Sequence, residues 1–208
     1  SMDGDIAPLD RLYELSKEYN ALLMVDDAHA TGVIGNGRGT AHHFGLTDVD
    51  VQLGTLSKAL GSVGGYVAGR KELIEYLVNY SRSFIFSTAL SPADIGAALE
   101  ALTIVKNEPL VVEQLNENTA YMANKLQSMG IECDDETPIF PIIVGDNERA
   151  LSLAYELELR GIIITAIRPP TVPVGESRLR MTVTAAHSQE QLDYVANTLR
   201  DLLVDMNI

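Results

Sequence analysis

Ala21-Leu22-Leu23-Met24-Val25 is a continuous apolar run that stops abruptly at Asp26-Asp27-Ala28-His29, and this junction constrains the fold more than any other stretch. An apolar run without alternation reads as a buried strand, the type found in sheets covered on both faces. In open α/β sheets ligands bind beyond the carboxyl ends of the strands, so Asp26 and His29 fall where a bound molecule would sit. Upstream, Pro8 to Tyr19 reads as a helix, with Pro8 suited to the first turn and Leu9, Leu12, Tyr13 and Leu15 forming an apolar stripe. Helix then strand gives an α-then-β unit.

Val49 to Leu53 reads as a second strand, and it runs into Gly54-Thr55-Leu56-Ser57-Lys58-Ala59-Leu60-Gly61. One lysine is thereby placed among small residues on a short turn, with Gly61 and Gly64-Gly65 keeping side-chain bulk away. An amine held in such a pocket loses hydration, which lowers its pKa and favours the neutral nucleophile that forms Schiff bases with aldehydes. Taken alone, the same turn also reads as a surface lysine on a glycine-rich loop. The upstream cluster favours chemistry: a carboxylate there could keep a heterocyclic nitrogen protonated, and an imidazole three residues on could hydrogen-bond a ring oxygen. Strand-Asp-x-x-His followed by strand-Thr-x-x-Lys fits pyridoxal phosphate, with lysine for the aldehyde, aspartate for the pyridinium and a hydroxyl for the phosphate.

Three ordered pieces, Ser1-Met2-Asp3-Gly4-Asp5, Asp26-Asp27-Ala28-His29-Ala30-Thr31-Gly32 and Thr55-Leu56-Ser57-Lys58-Ala59, together resemble the α-oxoamine synthases. The resemblance implies a fold-type I pyridoxal phosphate enzyme that condenses an amino acid with an acyl thioester and releases carbon dioxide. It implies Lys58, Asp26 and His29 as catalytic residues, all three also contacting the cofactor, with Thr55, Ser57 and Ser1 as further cofactor contacts. A similar S-M-D-G-D closes a strand inside the family's large domain, so Ser1 to Asp5 reads as internal. The expectation is then that the N-terminal part of that domain, with a ring-stacking residue and a substrate-recognition segment, is missing. A non-catalytic piece needing that segment is accordingly a second reading.

Composition sets outer bounds. The chain has 208 residues, 46% hydrophobic and 21% charged, enough for one large or two small domains with a real core. A net charge of −14 disfavours nucleic acid or an anionic membrane as the main partner, since both demand basic patches. No apolar run approaches the roughly 20 residues that span a bilayer, and no signal-peptide pattern opens the chain, so a cytoplasmic protein is expected. Cys133 is the single cysteine and reads as a small buried hydrophobe, and no His or Cys spacing suggests a metal site. Gly32 to Gly39 reads as a flexible active-site loop rather than a nucleotide fingerprint, because it leads into polar residues instead of opening a helix.

Further along, Gly65 to Ala68 reads as a buried strand, Arg70 to Tyr80 as a helix and Phe84-Ile85-Phe86 as a strand ending in Ser87-Thr88. The resemblance implies that Thr88 reaches the cofactor phosphate of a partner subunit, hence a homodimer with sites at the interface. Ser91 to Val105 reads as a helix capped by Ser91, apolar nearly all round and therefore buried. A second helix follows over Leu110 to Met129. The domain boundary is expected near Asn107-Glu108-Pro109, dividing residues 1–107, part of a large α/β domain with a mostly parallel sheet, from residues 108–208, a smaller α+β domain. In the latter, strands are expected at Ile139 to Val144, Ile162 to Thr165 and Arg178 to Thr182, with helices at Glu148 to Arg160 and Gln189 to Met206.

Ile167-Arg168-Pro169-Pro170-Thr171-Val172-Pro173 is stiffened by three prolines. In Arg178-Leu179-Arg180, strand alternation puts both guanidinium groups on one face. A planar fork that grips a carboxylate is what an amino-acid substrate requires. The resemblance implies that Arg180 binds that carboxylate and that Thr171 contacts substrate. His187 reads as ending the strand, and Ser188 with Gln191 as a capping box. Within the family, the Pro-Pro-Thr loop and Arg178 to His187 look most like the branch of biotin biosynthesis that joins L-alanine to a pimeloyl thioester. The glycine-using acetyltransferase branch is the runner-up.

Overall fold

A computed structural model describes residues 1–207. The chain divides into two compact units, one of Ala7–Val112 and one that joins Ser1–Ile6 to the chain from Glu113 onward. The division falls a few residues beyond the expected 107/108 boundary, and the first six residues belong with the second unit.

The first unit begins with α1 (Leu9–Glu18) and β1 (Met24–Asp26), followed by the short α2 (Thr40–His43), β2 (Val51–Thr55), β3 (Gly65–Gly69), α3 (Lys71–Tyr80), the short α4 (Arg82–Ile85) and α5 (Pro92–Asn107). β1 and β2 are parallel, with Asp26 opposite Leu53, while β3 returns antiparallel to β2. The parallel pair needs a crossover, and the turns and α2 between Asp27 and Asp50 supply it. Its core is small: Leu9, Val25, Ala41 and Val49, edged by Tyr13, Leu23, Phe44 and Leu46.

Burial is where the sequence reading of this unit departs from the structure. Of the run 21–25 only Val25 is buried, while Leu22 and Met24 are 78% and 61% exposed. Every residue of β3 is exposed, contrary to the buried strand expected. Phe84-Ile85-Phe86 is not a strand: Arg82–Ile85 is helical and Phe86 closes it, its amide donating to the Arg82 carbonyl. β-propensity describes fit to a half-buried pleated surface, and among the described residues no strand pairs with these aromatics. α5 has the expected cap, Ser91 Oγ accepting from the Asp94 amide, but only Ala98 is buried on it. Ile95, Leu99 and Leu102 face solvent instead.

The second unit contains α6 (Pro109–Ser128), which starts in the first unit, then β4 (Ile139–Gly145), α7 (Asn147–Glu158), β5 (Thr165–Ile167), β6 (Ser177–Thr182) and α8 (Gln189–Asp205). Its sheet has the order β4-β6-β5 and is antiparallel throughout. Alternation on β6 turns Leu179 and Met181 into a core shared with Phe140 and Ile142 of β4, Leu153 and Leu157 of α7, and Leu192, Leu199 and Leu202 of α8. Ser188 and Gln191 form the expected reciprocal cap at the start of α8. Cys133 is half-buried against this core, and burial pushes its thiol pKa up. No helix among the described residues is long and apolar enough to cross a membrane.

Candidate active site

Because β1 and β2 are parallel, the chain leaves both at the same edge of the sheet, and the two chemistry-bearing turns of the first unit start there. The first turn is welded at Asp27. Its amide donates to the Leu53 carbonyl of β2 at 2.7 Å, and its own carbonyl accepts from the amides of Ala30 and Thr31. Asp26, exposed at the end of β1, accepts from the Ala28 amide at 3.0 Å through Oδ1, an Asx turn that fixes its carboxylate. His29 lies half-buried on the same turn.

The second turn starts from Thr55. Its hydroxyl donates to the Gly64 carbonyl at 3.0 Å, accepts from the Ser57 amide at 3.2 Å and lies 2.7 Å from the Ser57 hydroxyl. Backbone bonds from Leu56 to Gly64 and from Ser62 to Leu56 close the loop around Lys58, and the Ser62 hydroxyl ties it to the Asp94 carbonyl at the start of α5. Gly61, at φ +60°, has open space where a side chain would begin. Lys58 and Ser57 are exposed, so the dehydrated pocket expected around the lysine is not formed by the described residues. Thr88 is exposed in the irregular stretch after α4.

Three residues that hold these turns were missed in the sequence. Asp27 is 4% exposed; its Oδ2 accepts from the Thr40 amide at 2.9 Å, and its Oδ1 is buried without a hydrogen bond among the described residues. Through it the segment 32–40 is pinned to the first turn and forms a closed set of turns, with Gly32 bonded to Gly37 and Gly39 to Ile34. Thr31 and Tyr66 share a hydrogen bond of 2.7 Å across Gly54, where a Cβ would lie 2.8 Å from both hydroxyls. The available signals were the doubled aspartate and a glycine inside a strand, which marks close approach.

The remaining candidates lie in the second unit. Thr171 is exposed in the loop before β6, which carries a cis bond between Pro169 and Pro170. Arg180 is half-buried on β6 and makes no ion pair among the described residues; burial pushes its guanidinium below its ordinary pKa, and a guanidinium remains charged there. Its Nε donates to the Ser1 carbonyl at 2.6 Å, so two of the candidates are joined directly. Arg178, its neighbour on the same face, is fully buried instead. His187 accepts from the Thr184 amide through Nδ1 at 3.1 Å, and buried Asn118 donates to the carbonyls of both residues, so this histidine shapes a turn.

The 8-amino-7-oxononanoate synthase of Lysinibacillus sphaericus is 51% identical over 211 residues, an alignment taking in 100% of this chain and 54% of that protein. The 8-amino-7-oxononanoate synthase 1 of Bacillus subtilis (strain 168) is 46% identical, with the same shares covered. The chain spans about half the length of these curated relatives. Among solved structures, the serine palmitoyltransferase of Sphingomonas wittichii superposes with a TM-score of 0.94 at 30% identity, covering 100% of this chain and 53% of that one. The 8-amino-7-oxononanoate synthase of Francisella tularensis gives 0.84 at 26% identity, covering 99% and 61%. The order of motifs, the two turns at the carboxyl ends of β1 and β2, and these likenesses agree with a match of the aminotransferase class I and II model to residues 1–199, and the chain belongs to that family.

Proposed function

We propose that this chain carries the lysine and arginine of a pyridoxal phosphate-dependent acyltransferase that condenses L-alanine with a pimeloyl thioester to give 8-amino-7-oxononanoate. The observation that carries the reading is the pairing of Asp26-x-x-His29 with Thr55-x-Ser57-Lys58 at one sheet edge, in a chain about half of whose residues match named 8-amino-7-oxononanoate synthases. The donor set fits the cofactor: a carboxylate, an imidazole, two adjacent hydroxyls and a lysine on a loop with open space at Gly61.

When bound, pyridoxal phosphate supplies an electron sink for carbanion formation at the amino acid's α-carbon. Lys58 would hold the cofactor aldehyde, and its Nζ would take the α-proton of the amino acid. Asp26 would keep a proton on the heterocyclic nitrogen, and His29 would hydrogen-bond the ring oxygen. Thr55 would offer its hydroxyl to the phosphate, Ser57 and Ser1 would be further cofactor contacts, and Thr88 would serve the phosphate in the partner subunit of a homodimer. Arg180 grips the alanine carboxylate, with Thr171 beside the substrate.

The test is product formation. L-alanine and pimeloyl thioester should give 8-amino-7-oxononanoate by mass spectrometry, and Lys58→Ala should lower the rate by about 10³-fold or more, as loss of a covalent and proton-transfer group does. Turnover of glycine with an acetyl thioester but not of alanine, or an unchanged rate in Lys58→Ala, contradicts the reading.

A further inference from the structure

The reaction proposed above has no use for Arg178, yet this guanidinium is 2% exposed. A cation taken out of water needs partners for its charge and its donors. Arg178 points away from the core side of β6, where Leu179 and Met181 lie. Its Nε donates to the Glu176 carbonyl at 3.0 Å and its Nη2 to the Glu176 carboxylate at 2.8 Å. Glu176 is local, two residues earlier. Nη1 donates to Asp3, which lies 175 positions away in the chain.

That long-range pair decides where the first residues lie. Gly4 reinforces it: its carbonyl accepts from the buried Thr137 hydroxyl, and at φ +75° it presses so close to β4 that a Cβ would sit 2.1 Å from the Ile139 carbonyl. Residues 1–4 thus form a strap across the β4 and β6 side of the sheet. Its end bears on Arg180, whose Nε is held by the Ser1 carbonyl at 2.6 Å while Nη1 donates to the Thr182 hydroxyl at 3.2 Å. Two fixed donors on one plane set the rotation of the guanidinium and leave its Nη2 end for a ligand.

We infer that Asp3 and Arg178 are positioning residues for carboxylate recognition: the ion pair of exposed Asp3 with buried Arg178 holds the strap, and the strap's Ser1 carbonyl orients the Arg180 fork toward the amino-acid carboxylate. The inference rests on the reading of Arg180 as the carboxylate contact. It also makes the candidate cofactor contact at Ser1 and the carboxylate contact at Arg180 parts of one device, so that displacing one displaces the other. Fixing a fork before binding removes side-chain entropy from the cost of gripping a substrate.

The test uses the 208-residue chain loaded with pyridoxal phosphate, comparing L-alanine with alaninamide, which has the amine but no carboxylate, through the cofactor's absorbance. Asp3→Ala should weaken alanine about tenfold, the scale of one hydrogen bond to a charged group, and leave alaninamide unchanged. Asp3→Asn, which keeps an acceptor for Arg178, should recover most of the loss. Equal weakening of both amines, or no weakening, overturns the inference. A second measurement does not depend on the cofactor: the Arg180 Nε–H should exchange slowly with solvent in the wild type and at least tenfold faster in Asp3→Ala, read by nitrogen-15 NMR. An Nε–H equally protected in both overturns the strap. If the wild type takes up no cofactor on Lys58, the functional reading fails, and the exchange result decides the strap by itself.

Discussion

The two units are made of similar elements and differ in what those elements bury. In the second unit the antiparallel sheet and three helices close on one core, and Leu126, Leu153, Leu157, Leu179 and Leu199 have no exposed surface. In the first unit helices and strands form where local signals place them, yet α3 and α4 bury no residue, β3 is exposed throughout and the core is a four-residue cluster. The lysine turn belongs to the unit with the smaller core, and the arginine fork to the unit with the larger. Elements can therefore be specified locally without the burial that their apolar faces offer, and stability is expected to be unequal along the chain.

The largest expected effect breaks this contrast directly. Leu179→Ala should cost the second unit about 2–5 kcal/mol in urea denaturation, because it opens a cavity in a closed core. Leu99→Ala, at a side chain 65% exposed on α5, should change stability by less than about 0.5 kcal/mol. Comparable losses would mean that the apolar face of α5 is covered in solution. A smaller effect is expected at the weld of the first turn. Gly39 sits at φ +93°, and an added Cβ would lie 2.3 Å from the Asp27 carboxylate. Gly39→Ala should cost about 1–3 kcal/mol through strain, and amide exchange should report it at Ala30 and Thr31 before it reaches the second unit.

How much of this was legible follows from the range of the forces involved. Caps and turns are local, so Ser91, Ser188 and the Asp26 turn could be read directly, as could both faces of β6. The lysine motif and its place after a strand were equally plain. Burial was not, since whether Leu22, Val67 or Leu99 is covered depends on what packs against it rather than on its own run. The same holds for Arg178, read as one of a pair of sheet-face arginines: its burial depends on Asp3, which no spacing rule connects to it. Asp27 was passed over because Asp26 already satisfied the motif. Its role follows from a contact with Thr40 that appears only when the intervening glycine turns fold back.

The smallest effect is one of pH and is confined to the first unit. The Asp50 carboxylate accepts from the Leu23 amide at 3.0 Å, beside the start of β1, and pairs with Arg70 at 3.1 Å. The Leu23 hydrogen bond foremost, with the charges of Lys17 and Arg70, holds its pKa below the ordinary carboxylate value. A depressed carboxyl favours the folded state above the unfolded pKa of about 4, and that contribution fades as pH falls through the lower folded value. Acidification below about pH 4 should therefore loosen β1 in the wild type, and Asp50→Asn should flatten that part of the profile while weakening the unit at neutral pH. An unchanged acid limb in Asp50→Asn would assign the effect elsewhere.

The turns leaving β1 and β2 are proposed to form one cofactor site around Lys58. Titration of the purified chain with pyridoxal phosphate, followed by borohydride reduction and peptide mapping, tests it most directly. A saturable absorbance band and a single label on Lys58 are expected, lost in Lys58→Ala and weakened in Asp26→Asn. No band, or a label scattered over the exposed lysines, would contradict it.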